Sequence, residues 1–196
     1  MIEKLDALYK QMIEKSAEKY SNKVVVGEGL VDKPKLMLIG EAPGAQEERE
    51  GKPFVGKAGK NLTELLNSIS IRREDIFISN VVKIRPSKVS KAGNIVNRPP
   101  NNEEKAFFIP WLYREVRLIK PQGIVTLGNV ALSAFLGNAA TIGDFHGKWH
   151  NIKVNFNGEI IDIRLFPLYH PAAIIYNRAL IYTYNEDLAV LAKSLQ

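Results

Sequence analysis

Three short apolar runs constrain this chain more than any other feature: Lys35-Leu36-Met37-Leu38-Ile39-Gly40, Ile76-Phe77-Ile78-Ser79-Asn80-Val81-Val82 and Gly123-Ile124-Val125-Thr126-Leu127-Gly128. None shows a strict polar/apolar alternation, so each predicts a strand covered on both faces. Between them the spacing turns helical: Leu62, Leu65, Leu66 and Ile69 mark one helix face, and Glu103 to Lys120 predicts another helix, kinked or divided at Pro110. A further helix runs through Ala131 and Phe135. Asn157-Gly158 signals a hairpin whose second arm, Ile160 to Leu168, adds a strand. Strands alternating with helices imply an α/β fold, a three-layer α/β/α sandwich around a mainly parallel sheet of about four strands. Residues 1–22 hold an amphipathic helix with Ile2, Leu5, Leu8, Tyr9, Met12 and Ile13 on its stripe, expected to pack on a single domain spanning 1–196. A terminal helix is expected from about Tyr184 to Leu195.

Composition narrows the function classes. With 45% hydrophobic and 24% charged residues, a 196-residue chain can bury a complete core, which excludes wholesale disorder. No cysteine is present, which excludes disulfides, thiolate zinc sites and cysteine-ligated iron–sulfur clusters. The only histidines, His146, His150 and His170, are too scattered for a metal cage, so no metal site is expected. Apolar runs fall short of the roughly 20 residues that a membrane span needs, and the mixed-charge start is unlike a signal peptide. A cytoplasmic protein with no membrane partner is therefore expected. The charge of +6, from 27 basic and 21 acidic residues, permits nucleic-acid binding without demanding it.

In parallel sheets ligands bind beyond the carboxyl ends of the strands. Gly40-Glu41-Ala42-Pro43-Gly44 leaves one such end, and its small residues let backbone approach a ligand while Glu41 and Glu47 bring carboxylates. A tight turn with solvated acids explains the same residues. Asn80 ends the second strand, where its amide presents a donor and an acceptor suited to a nucleobase edge, or else caps a turn. Tyr169-His170-Pro171 ends the last strand, where an imidazole can donate to a developing oxyanion or serve structure alone. Arg85, Lys88, Lys91, Arg98 and Arg178 lie in expected loops, and His146-Gly147-Lys148-Trp149-His150 joins cations to an aromatic; together they could grip phosphates, or form a solvated surface. Gly51 to Lys57 has the spacing of a phosphate-binding P-loop, but Ala58 stands where a magnesium-holding hydroxyl belongs and Pro53 removes a backbone donor. A triphosphatase is discounted on those grounds.

Taken in order, these motifs resemble the uracil-DNA glycosylase superfamily, specifically its family 4, from about Val24 to Leu188. The Gly40–Gly44 turn, Glu47, the Gly51–Gly59 segment, Ser79-Asn80-Val81-Val82-Lys83, Asn97-Arg98-Pro99-Pro100, Gly147-Lys148-Trp149 and His170-Pro171-Ala172 carry the resemblance. It implies a DNA repair enzyme that flips uracil out of single- or double-stranded DNA and hydrolyses its glycosidic bond. By the same resemblance Glu41, Asn80 and His170 would be catalytic. Ala42, Gly44, Glu47, Phe54 and Asn80 would hold the base, with Phe54 stacking on it and Glu47 walling off a thymine methyl. Arg85, Arg98, Lys148 and Arg178 would hold DNA, and residues Ala173 to Arg178 could wedge into the duplex. The alternatives are a related glycosylase for another damaged base, such as hypoxanthine, and a non-catalytic DNA-binding relative.

One departure is large. Family 4 implies a 4Fe–4S cluster on four cysteines, yet Ile84 and Phe108 occupy two of those positions and none lies between Met1 and Val31. The expectation is an apolar plug in place of the cluster, with Ile84 facing Phe108 and Leu8, Met12 or Ile13 helping, and no cofactor. The segment 87–97 also exceeds the family's usual length. A monomer in the nucleoid region of the cytoplasm is expected.

Overall fold

The computed structural model describes residues 1–195. The chain runs α1 (Ile2–Ala17), β1 (Glu28–Gly29), β2 (Met37–Gly40), α2 (Ala45–Glu50), α3 (Lys57–Ser68), β3 (Phe77–Asn80), β4 (Ser87–Val89), β5 (Ile95–Asn97) and α4 (Asn102–Ile119). It continues through β6 (Ile124–Leu127), α5 (Asn129–Leu136), α6 (Ile142–Phe145), β7 (His150–Phe156), β8 (Glu159–Leu168), α7 (Pro171–Tyr176) and α8 (Leu180–Lys193).

The central sheet has the order β1-β3-β2-β6-β8-β7. Its four inner strands are parallel and correspond to the expected set, while β1 and β7 pair antiparallel on the two edges. The count of about four is thus corrected to six. The additions are a two-residue edge strand too short for any periodicity and the first arm of the expected hairpin. That hairpin turns at Asn157 and Gly158, both at positive φ.

Period-two alternation in the buried strands splits the core between two faces. Met37 and Ile39 join Phe77, Ile124 and Leu165 beneath α1, α4 and α5. Leu38 joins Ile78, Val125, Leu127 and Phe166 against α3 and α8. The helix α1 buries Leu5, Leu8, Tyr9 and Met12, but Ile13 is 45% exposed and takes no part in the expected plug. Pro110 does not divide α4, which runs unbroken through it: burial of Phe108 and Leu112 on either side offsets the backbone bond that proline cannot make. The terminal helix begins at Leu180 rather than Tyr184. The polar segment expected as a loop is partly ordered into the β4–β5 ribbon, a separate two-stranded sheet.

Candidate active site

The carboxyl ends of β2, β3 and β8 bring three segments to one rim. Glu41 follows β2, Asn80 closes β3, and His170 lies two residues beyond β8. A cavity of about 430 Å³ opens there, lined among others by Ala42, Gly44, Glu47, Phe54, Asn80 and His170. Glu41 lines a smaller adjoining cavity, of about 200 Å³, that also touches His170 and Arg98. A larger cavity, about 710 Å³, lies at the amino ends of the strands between α4 and the β7–β8 hairpin, away from these residues.

Phe54 is held by its backbone. It sits at φ +53°, a region that costs a side-chain-bearing residue energy. The guanidinium of Arg73 donates to the carbonyls of Phe54 (2.8 Å) and Pro53 (2.5 Å) and pairs with Glu28 at 3.2 Å. A Cβ on Gly59 would lie 1.8 Å from the Phe54 carbonyl oxygen, so only glycine lets α3 approach this loop. Gly40 does the same on the other side, where a Cβ would come within 2.4 Å of the Phe54 ring and 2.5 Å of Asn80 Oδ1. The ring centroids of Phe54 and His170 stand 6.1 Å apart at 30°.

Asn80 is buried, and its side-chain amide has no hydrogen-bond partner among the described residues. Its amide atoms are not sealed off: they open onto the cavity, where a ligand edge can meet both the donor and the acceptor. Behind it, Ser79 points to the opposite face and donates to Glu115 Oε2 at 2.9 Å. The same oxygen accepts from Lys83 at 2.7 Å, while Glu115 Oε1 accepts from Tyr9 at 2.5 Å. Burial pushes the Lys83 ammonium below its ordinary value, against the pull of Glu115, and burial with that carboxylate raises the Tyr9 phenol. This network anchors the end of β3 from the side away from the cavity.

His170 caps α7: its Nδ1 accepts from the Ala172 amide at 3.1 Å. Burial lowers its pKa from 6.5, so the ring is neutral near pH 7. With Nδ1 accepting, the proton resides on Nε2, which leaves one N–H donor for the cavity. Asn61 donates to the Pro171 carbonyl at 3.0 Å and ties α7 to α3. Burial raises the Glu41 carboxyl, with Lys105 opposing. Glu47 accepts from the Gly44 and Gly56 amides at 3.1 and 2.7 Å, lashing two cavity-lining turns together.

The four expected DNA-binding cations are placed differently. Arg98 makes a bidentate pair with Glu104 at 2.7 and 2.8 Å, and Arg85 bonds Asn97 and Glu48. Lys148 is exposed and outside the cavity lining, because its neighbours turn inward: Trp149 packs on Phe166 and His146 pairs with Asp187. Arg178 is exposed just beyond Tyr176, which lines the cavity. Arg73, also close to the site, carries no motif of its own and is brought there only by the fold; Asn97 opens the Asn97–Pro100 motif but is not among the expected site residues.

The residues at the two cluster positions do not fit an iron–sulfur group. Ile84 and Phe108 are fully buried in one apolar cluster with Leu8 and Met12. Phe108 lies 4.8 Å from Phe107 and 5.9 Å from Tyr20, ring centre to ring centre. Among the described residues no group of His, Asp or Glu could hold a metal ion.

A parallel sheet with a cavity, an amide free of side-chain bonds and a neutral imidazole at its carboxyl rim defines a class, and sequence comparison agrees: the chain belongs to the uracil-DNA glycosylase superfamily, whose pattern matches residues 26–191. Within it, the chain is similar to the type-4 uracil-DNA glycosylase of Pyrobaculum aerophilum, 37% identical over 193 residues that cover 96% of this chain and 92% of that protein. The type-4 enzyme of Saccharolobus solfataricus is 39% identical over 182 residues (90% and 78%), and that of Thermotoga maritima 39% over 160 residues (80% and 73%). The protein is thus an enzyme of a DNA-repair family.

Proposed function

We propose that the protein excises uracil from DNA, hydrolysing the N-glycosidic bond of a flipped nucleotide and leaving an abasic site. The observation that carries this reading is the Asn80 amide, free of side-chain hydrogen bonds among the described residues, opening onto the same cavity as Phe54 and a neutral His170. The flipped base stacks on Phe54. Asn80 donates to uracil O4 and accepts from N3–H; cytosine reverses that polarity and would leave buried groups unpaired, at about 1–3 kcal/mol each. As the bond breaks, charge accumulates on the departing uracil, and the neutral His170, its Nδ1 held by the Ala172 amide, donates Nε2–H to O2. Glu41 orients the attacking water from the adjoining cavity, and its desolvation favours uptake of a proton from that water. Glu47 shapes the wall nearest the base C5 through the turns it joins. No iron–sulfur cluster enters this reaction.

The enzyme acts on DNA as a single chain in the nucleoid region of the cytoplasm. No helix among the described residues is long and apolar enough to cross a membrane. Incubation with oligonucleotides containing uracil, hypoxanthine, xanthine or thymine, followed by alkaline cleavage, tests the reading. Cleavage should follow uracil; cleavage confined to hypoxanthine, or nicking without alkali, would reject it.

A further inference from the structure

The β4–β5 ribbon stands outside the central sheet, and its root belongs to the active-site rim. Asn97 lines both rim cavities, and its Nδ2 would lie 3.3 Å from a Cβ on Gly44. Arg85 holds Asn97 Oδ1 at 2.8 Å, and Arg98 donates to the Ser87 carbonyl at 3.2 Å while paired with Glu104. These arginines therefore fix the base of the ribbon.

Beyond that base the ribbon changes character. Val89 pairs with Ile95 across the strands, and they are 69% and 64% exposed. Alternation puts this pair on the same ribbon face as Asn97, two residues farther out, or about 7 Å along the strand. Lys88 and Lys91 are exposed and have no ion-pair partner among the described residues, and no acidic residue occurs from Ile84 to Asn102. Lys88 pairs with Val96 on the opposite ribbon face and Lys91 lies in the connecting turn, so the cations border the apolar pair from the ribbon's back and tip. An apolar pair bordered by cations and continuous with a cavity mouth has the chemistry of a nucleic-acid contact.

We propose that the β4–β5 ribbon is a second DNA grip, laying Val89 and Ile95 against the strand about two base steps from the flipped nucleotide while Lys88 and Lys91 meet phosphates. This rests on DNA being the substrate. It shifts the phosphate contacts of this rim from Arg85 and Arg98, spent internally, to the ribbon lysines.

Two variants test it, with thermal melting to check that each folds as wild type. For Lys88→Ala/Lys91→Ala, affinity for an undamaged duplex should fall several-fold at low salt. Its slope of log affinity against log salt should flatten by about 1.8, since each phosphate contact contributes about 0.9. For Val89→Ser/Ile95→Ser, KM on a long uracil duplex should rise about five-fold or more, and this loss should shrink as the flanks are cut to one nucleotide. Unchanged slope and unchanged KM would overturn the proposal, as they would if the ribbon docked a protein. A loss independent of flank length would also overturn it, because the ribbon would then be supporting the cavity. If wild type released no uracil, the excision reading would fail, yet the duplex salt slope would still decide whether the ribbon binds DNA.

Discussion

Replacing Phe108 with alanine probes the part of the fold where this chain departs most from its family's pattern. Phe108 is fully buried, and its ring meets Phe107 edge-on and Tyr20 in a stack. Its cluster joins Leu5, Leu8 and Met12 of α1 to Ile84 beyond β3 and Leu112 of α4. Three chain segments that thiolates would otherwise tie together are thus held by apolar contact. Truncating a buried Phe costs about 3–5 kcal/mol, the transfer free energy plus the cavity left behind. For a domain of this size each kcal/mol lowers Tm by about 2–4 °C, so Phe108→Ala should melt about 6–20 °C below wild type. Calorimetry and urea unfolding give the shift, and iron analysis of the purified wild type gives its metal content. A Tm drop under about 2 °C, or stoichiometric iron in the wild type, would refute an apolar replacement of the cluster.

Other substitutions probe the rim itself. Removing an oxyanion donor typically costs about 10²–10³ in kcat, so His170→Ala should slow single-turnover uracil release by that factor with little change in binding of an abasic duplex. Because burial holds the folded His170 pKa below 6.5, its neutral form contributes stability fully above pH 6.5, lost as pH falls through the lowered value; pH titration of wild-type unfolding should show an acid-side loss that His170→Ala reduces. Gly40→Ala, whose methyl would overlap the Phe54 ring and Asn80 Oδ1, should lose activity more than stability, and equal loss of both would argue against its spacing role. Arg73→Ala frees the backbone carbonyls of Pro53 and Phe54, and should raise KM for uracil DNA several-fold; wild-type kinetics would show that the loop holds itself.

Three of the four parallel strands were legible because strands buried on both faces leave continuous apolar runs such as Leu36–Ile39, and the fourth because Asn157-Gly158 marks the turn of its hairpin. Glu28-Gly29 was not, since two residues carry no period and only the open edge of β3 makes them a strand. The division at Pro110 was misleading because local backbone chemistry argues for a break, while packing of Phe108 and Leu112 keeps the helix continuous. At the site, Asn80 and His170 were readable as polar residues at strand exits, a position that topology alone makes significant. Which imidazole nitrogen donates was not readable, because it depends on the Ala172 amide two residues away. Arg85 and Arg98 read as phosphate ligands from charge, but their partners Glu48 and Glu104 are assigned only by the fold. Arg73 lacked any local signal, because its partner carbonyls lie 19 and 20 residues away.

The central claim is that Asn80 recognises uracil in a cavity where the base is cut from its sugar. It is tested most directly by single-turnover release of free uracil, measured beside binding of an abasic duplex, for wild type and Asn80→Ala. Wild type should release uracil and leave alkali-labile sites, while Asn80→Ala should lose most of that rate yet bind the abasic product nearly as well, since the product has no base for the amide to hold. No uracil release by wild type, or an equal loss of release and of abasic binding in Asn80→Ala, would contradict the account.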